Sequence, residues 1–137
     1  MEHWSITKPA VHSEGGVVVS QHYQAAEAGA RVLAKGGNAV DAAIAAGFAL
    51  GAVEPWMSGL GGCGFMTVYL ADTGKSYAVE FGVRASGTLN PDDYPLSSGF
   101  DSDLFAWPGV VDNRNVLGPH SVAVPRYVAG RALAADR

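Results

Sequence analysis

Residues 59–64 read Gly-Leu-Gly-Gly-Cys-Gly, a literal G-x-G-x-x-G. Glycines at that spacing can bring backbone N–H groups against a pyrophosphate, provided the run leaves a strand and opens a helix. Here the order is reversed. A long run of apolar helix formers, Ala39–Val53, precedes Gly59, and a strand-like run, Phe65–Leu70, follows Gly64. Nor does a carboxylate close a second parallel strand downstream, because Glu80 falls in what reads as a hairpin. The pattern therefore argues against a nucleotide and for a tight passage of backbone close to another backbone.

Other chemistry-bearing side chains are sparse. His3, His12, His22 and His120 have no metal-ligand spacing and read as ordinary loop or core histidines. Asp41 falls three residues after Asn38, where a carboxylate serves a helix start rather than general-base work. A single cysteine cannot form an internal disulfide, so no oxidising compartment is required.

Stepping outward, the elements around these residues are legible. Gly16–Ser20 (GVVVS) reads as a strand covered on both faces. Tyr23–Lys35 follows as an amphipathic helix with Ala25, Ala28, Val32 and Leu33 on one stripe and Glu27–Arg31 as an i,i+4 pair. Lys35-Gly-Gly-Asn38 stops it and caps the next helix, Ala39–Val53, which is apolar all round and predicts burial all round. Phe65–Leu70 and Ser76–Phe81 flank Ala71–Lys75 as a hairpin, with Tyr77, Val79 and Phe81 on one face. Residues 82–118 are turn-rich, Asn90-Pro-Asp-Asp suits a short capped helix, Ser121–Val124 a strand, and Tyr127–Arg137 a last helix.

The totals bound the rest. Over 137 residues the chain is 48% apolar, 16% charged and carries a net charge of −4. That is too few charges for a fully solvated surface, and no basic run is present to meet nucleic-acid phosphates. The apolar stretch 39–53 contains Asp41 and falls short of the roughly 20 residues that a membrane span needs. The first residues lack a basic and an apolar leader region, so no export signal is read and the cytoplasm is the default compartment. Few strands, uncovered faces and a tail without a stop signal predict that residues 1–137 are one incomplete domain.

Gly36-Gly-Asn-Ala-Val-Asp-Ala-Ala43, Val53-Glu-Pro55 and Ser58-Gly-Leu-Gly-Gly-Cys-Gly-Phe65 together, in this order and spacing, resemble the γ-glutamyltranspeptidase family. The likeness returns at Gly118-Pro-His-Ser-Val-Ala-Val-Pro125 and Val128-Ala-Gly130. It implies an α/β (α+β) fold, here only the N-terminal portion of an N-terminal nucleophile (Ntn) hydrolase αββα sandwich. It also implies a precursor that cuts itself into two subunits, with no cofactor and no metal. The new N-terminal Thr of the small subunit attacks γ-glutamyl amides such as glutathione and passes the acyl group to water, an amino acid or a peptide. Such a nucleophile is residue one of a mature chain, activated by its own α-amine. Positions 1 and 2 are Met and Glu, so this chain corresponds to the first part of the large subunit. Its partner is then the remainder that carries the Thr, and alone it is expected to be inactive.

The resemblance also bears on single residues. The family places an arginine directly after the phenylalanine of the second hairpin strand, where it holds the α-carboxylate of the γ-glutamyl group. Here that place holds Gly82, and the nearby arginine is Arg84. Either Arg84 takes the role or the anchor is absent, the latter pointing to a β-lactam or amide acylase of the same superfamily. A non-catalytic remnant or interaction module is a further alternative. Cys63 stands where the family has glycine and reads as a small buried cysteine rather than a reactive thiol. Arg126 stands where glycine commonly follows the proline and is expected to disturb the turn into the last helix.

Overall fold

The computed structural model describes residues 9–101 and 105–136; His3 and the N-terminal leader reading lie outside them. Helix α1, Tyr23–Ala34, starts at His22, whose backbone is extended and whose Nδ1 accepts the Gln24 N–H at 3.3 Å. It ends in a glycine cap: the Gly36 N–H donates to the Leu33 carbonyl at 2.9 Å and that of Gly37 to Val32 at 3.0 Å. Gly36 takes φ +89°, a conformation that glycine reaches without a Cβ penalty. The Glu27–Arg31 pair forms at 3.8 Å, largely exposed.

Helix α2, Ala39–Val53, has the capping box read from Asn38 and Asp41. The Asn38 side chain accepts the N–H groups of Val40 and Asp41 at 2.8 and 2.9 Å. The Asp41 carboxylate accepts the Asn38 N–H at 3.1 Å. The two helices meet through small residues, Ala25 and Gly29 against Ala42 and Ala46, all buried. A Cβ on Gly29 would lie 2.8 Å from the Ala42 carbonyl oxygen, so glycine here permits the close approach. The Gln21 amide also donates to the Glu54 carboxylate, joining the start of α1 to the end of α2.

Burial of α2 is one-sided, not all round. Only Ala42 and Ala46 are buried, while Ala39, Ala43, Phe48 and Ala52 are exposed. The described residues supply α1 and the extended segment 15–20 against one side of α2, the last helix against part of another and Gly59 beside Gly51, and they leave the remainder uncovered. Gly16–Ser20 likewise is extended but not a strand, since no described segment forms a ladder with it. Val18 tucks against Gly29, whereas Val19 is 88% exposed.

Strands β1, Phe65–Leu70, and β2, Lys75–Glu80, form the antiparallel hairpin, pairing Phe65 with Glu80 through Leu70 with Lys75. β2 starts one residue earlier than the sequence reading, and Gly74 closes the loop at φ +65°. Asn90 caps a single 3-10 turn, Pro91–Asp93, by accepting the Asp92 N–H at 3.2 Å. The turn-rich stretch also holds a second, bulged antiparallel pair, β3 (Leu96–Phe100) and β4 (Pro108–Val110). Ser97-Ser98-Gly99 and Pro108 conceal it from sequence patterning, because serine, glycine and proline are poor strand signals. Ser121–Val124 is not a strand: Pro119–Ser121 makes a 3-10 turn and Val124 alone forms a β-bridge. Helix α3 covers Tyr127–Ala135. Among the described residues no helix is long and apolar enough to cross a membrane.

Candidate functional site

The candidate site is the corner where β2, the Gly59–Gly64 passage and the start of α3 meet. Its base is Phe81, 3% exposed, wedged between two glycines. A Cβ on Gly64 would come within 2.7 Å of its ring, and one on Gly130 would overlap the ring outright. Gly64 and Phe81 exchange backbone hydrogen bonds at 3.3 and 3.1 Å, extending the hairpin by one pair. Phe81 also meets Tyr127 edge to face, 6.3 Å between centroids. An aromatic side chain flanked by residues without side chains fixes the two backbones at close packing distance.

Beyond Phe81 the chain runs through Gly82 and Val83 to Arg84. There it pairs with Val124: the Arg84 N–H donates at 3.2 Å and its carbonyl accepts the Val124 N–H at 2.7 Å. Two residues later the N–H groups of Arg126 and Tyr127 both donate to the Gly62 carbonyl, at 3.3 and 3.2 Å. The glycine passage thus holds β2 on one side and the entry of α3 on the other. Arg126 does not disrupt that entry; it serves as the N-cap of α3 with no side-chain cap bond.

Helix α3 is fixed on α2 by a latch that the sequence reading missed. The Tyr127 hydroxyl donates to the Gly47 carbonyl at 2.6 Å. The Arg131 guanidinium lies over the Tyr127 ring, 4.1 Å from its centroid, and donates to the Ala43 and Ile44 carbonyls at 3.2 and 3.1 Å. Gly47 leaves the space that the guanidinium occupies. Burial pushes the Arg131 pKa below the ordinary arginine value, and its charge interaction with Tyr127 opposes that shift. The available signal was Tyr127 and Arg131 at i,i+4, with a glycine inside an otherwise apolar helix.

Electrostatically, the described arginines divide into two groups. Arg31 pairs with Glu27, Arg114 with Asp112, and Arg131 with carbonyls of α2. Arg84 is exposed and Arg126 half-buried, and neither guanidinium has a side-chain or carbonyl partner among the described residues. A guanidinium in that state offers a planar fork to a carboxylate. Cys63 is exposed, contrary to the sequence expectation, because its neighbours Gly62 and Gly64 take the contacts of the passage through their backbones. The described histidines are not gathered: His22 caps α1, and the His120 ring meets Tyr94 edge to face. Among the described residues no group of metal-ligating side chains forms. Asp41 is committed to the α2 cap.

The glycine pattern that suggests a nucleotide is used otherwise. It leads out of a helix into β1; Gly64 is tightly packed against Phe81 and Gly62 against the Gly59 carbonyl, whereas Gly59 and Gly61 have open space where a Cβ would go. The crystal structure of Helicobacter pylori γ-glutamyltranspeptidase matches 93% of this chain at TM-score 0.78 and 33% identity, the match spanning 34% of that chain. The fold is thus a portion of an N-terminal nucleophile hydrolase, built of helices and small antiparallel sheets. The family model for γ-glutamyltranspeptidase covers residues 25–137, and the chain belongs to that family. A glutathione hydrolase proenzyme of Pseudomonas sp. (strain A14) is 35% identical over 127 residues, 93% of this chain. An acylase ACY 1 proenzyme of Pseudomonas sp. (strain V22) is 39% identical over 123 residues, 90% of this chain. The chain spans only 20% and 21% of those two proteins.

Proposed function

We propose that this chain is the N-terminal part of the large subunit of a γ-glutamyltransferase-like enzyme. In that reading it contributes the α1–α2 pair and the β1–β2 hairpin to one domain that the rest of the proenzyme completes. The observation that carries the reading is the match along nearly the whole chain to proenzymes more than four times its length. Exposed Val17 and Val19 and the open flank of α2 supply physical support, being apolar surface of the kind a completed sandwich covers.

The reaction is acyl transfer. A threonine hydroxyl elsewhere in the proenzyme attacks the γ-glutamyl amide, the amine leaves, and water or an acceptor amine releases the acyl group. What this chain supplies is an anchor: Arg84, with its backbone pinned to Val124, grips the carboxylate of the acyl group. The 137 residues alone are inactive in this reading. The test expresses the chain alone and the full reading frame, with γ-glutamyl-p-nitroanilide as donor. Turnover by the processed full-length protein, and none by the 137 residues, supports the proposal; turnover by the short chain overturns it.

A second reading, an acylase acting on side chains without an α-amino group, is favoured by Gly82 and by the 39% identity to an acylase proenzyme. Comparing γ-glutamyl with glutaryl and adipyl anilides, in the full-length protein and its Arg84→Ala variant, separates the two.

A further inference from the structure

One side chain ties the corner to α2 from both of its ends. The Tyr127 N–H donates to the Gly62 carbonyl at 3.2 Å, which fixes its backbone on the glycine passage. The Tyr127 hydroxyl donates to the Gly47 carbonyl at 2.6 Å, which fixes the far end of the ring on the middle of α2. Phe48 of α2 meets that ring edge to face at 5.7 Å, and the Arg131 guanidinium covers it at 4.1 Å. The ring also meets Phe81, at 6.3 Å and 78°.

The position of α3 then passes to the strand exit by two routes. Tyr127 and Gly130 are three residues apart on α3 and share one of its faces. Both wall in Phe81, which is 3% exposed and closed on its other side by Gly64. A shift of α3 across α2 therefore moves two walls of a space that has no slack, and close-packed interiors transmit such shifts. The second route is the backbone pair of Arg84 with Val124, three residues before α3 begins. Gly82 and Val83 thus lie between two points, Phe81 and Arg84, that are both held on α3 or on its entry.

We infer that Tyr127 is a positioning residue for the acyl-donor site. Its hydroxyl bond to Gly47 sets where α3 lies on α2, and α3, through Phe81 and Val124, sets the backbone of Gly82–Arg84. The inference rests on the acyl-transfer reading above and adds to it the residue that holds this segment in place.

The test uses the full-length processed protein with γ-glutamyl-p-nitroanilide. Tyr127→Phe keeps the ring and its packing and removes only the hydroxyl bond. It is expected to raise KM about three- to tenfold, the size of one neutral hydrogen bond, and to change kcat by less than about twofold, as when ground-state and transition-state binding fall together. Asn38→Ala, which weakens the distant cap of α2, serves as a control for general destabilisation and is expected to leave KM unchanged. An unchanged KM in Tyr127→Phe overturns the inference. So does an equal rise in Asn38→Ala, which would mark the effect of Tyr127 as stability alone. If the wild-type protein cleaves neither γ-glutamyl nor glutaryl anilide, the acyl-transfer reading fails, and amide exchange decides whether Tyr127 holds the segment. Faster exchange at the Phe81 and Arg84 N–H groups in Tyr127→Phe, but not in Asn38→Ala, then upholds that hold, and equal exchange overturns it.

Discussion

Phe81 shows how much of this lobe depends on single atoms. Its ring fills the space between Gly64 and Gly130, so one methyl at either glycine collides with an aromatic side chain that is itself buried. Overpacking of this kind typically destabilises by about 1–3 kcal/mol. Gly64→Ala and Gly130→Ala are therefore expected to lower the urea midpoint of the full-length protein, Gly130→Ala more severely. Gly59→Ala and Gly61→Ala, where no atom lies within 4 Å of the added carbon, are expected to change it little. Equal effects at Gly59 and Gly64 would refute the assignment of the passage to packing. Arg131 belongs to the same scale. Its replacement by alanine removes two hydrogen bonds to α2 carbonyls and the contact with the Tyr127 ring. A loss of about 1.5–3 kcal/mol is expected, as for hydrogen bonds from a charged donor, readable as accelerated amide exchange in Tyr127–Ala135.

Elements formed by local chemistry were legible; elements that need distant partners were not. The boundaries of α2 follow from residues within a few positions of each other: Asn38 and Asp41 satisfy the free N–H groups, and Glu54 and Pro55 end the helix. Asn38→Ala is accordingly expected to destabilise by about 1 kcal/mol, with Asn38→Ser or Asn38→Asp close to wild type, as read from denaturant midpoints. The β1–β2 hairpin was equally visible, because its loop and alternation are local. By contrast, β3 pairs with β4 through a serine- and glycine-containing strand, and Gly16–Ser20 carries strand-forming residues with no described segment to pair with. Burial failed for the same reason. The composition of α2 states that it can be buried on every side, whereas the number of neighbours is decided elsewhere in the molecule. At the site, Arg84 was visible as a residue type, but its pairing with Val124 brings together positions forty residues apart. The Tyr127–Gly47 bond spans eighty.

At the scale of the molecule, the shortage of charge and the exposed apolar residues have one physical explanation. A groove of about 490 Å³ between α2, the hairpin and α3 is lined by Val40, Val68, Leu70, Tyr77, Val79 and Leu133. A second, of about 640 Å³, runs along the extended segment 15–20 and helices α1 and α2. Both are mostly apolar, and water in them is less favourable than protein atoms, by roughly 25 cal/mol for each Å² of apolar surface covered. If the rest of a proenzyme completes the domain, these grooves are where its side chains belong. Charging them should then damage assembly before it damages chemistry. Val68→Asp and Ala43→Asp, one in each groove, are expected to reduce soluble, processed full-length protein and to leave the precursor uncut. Arg84→Ala, at an exposed position, should be processed normally and lose activity on carboxylate-bearing donors alone. Subunit bands on a denaturing gel and anilide hydrolysis read these two behaviours separately. Normal processing of both groove variants would show that the grooves face solvent in the finished enzyme, and the one-domain reading would fall with them.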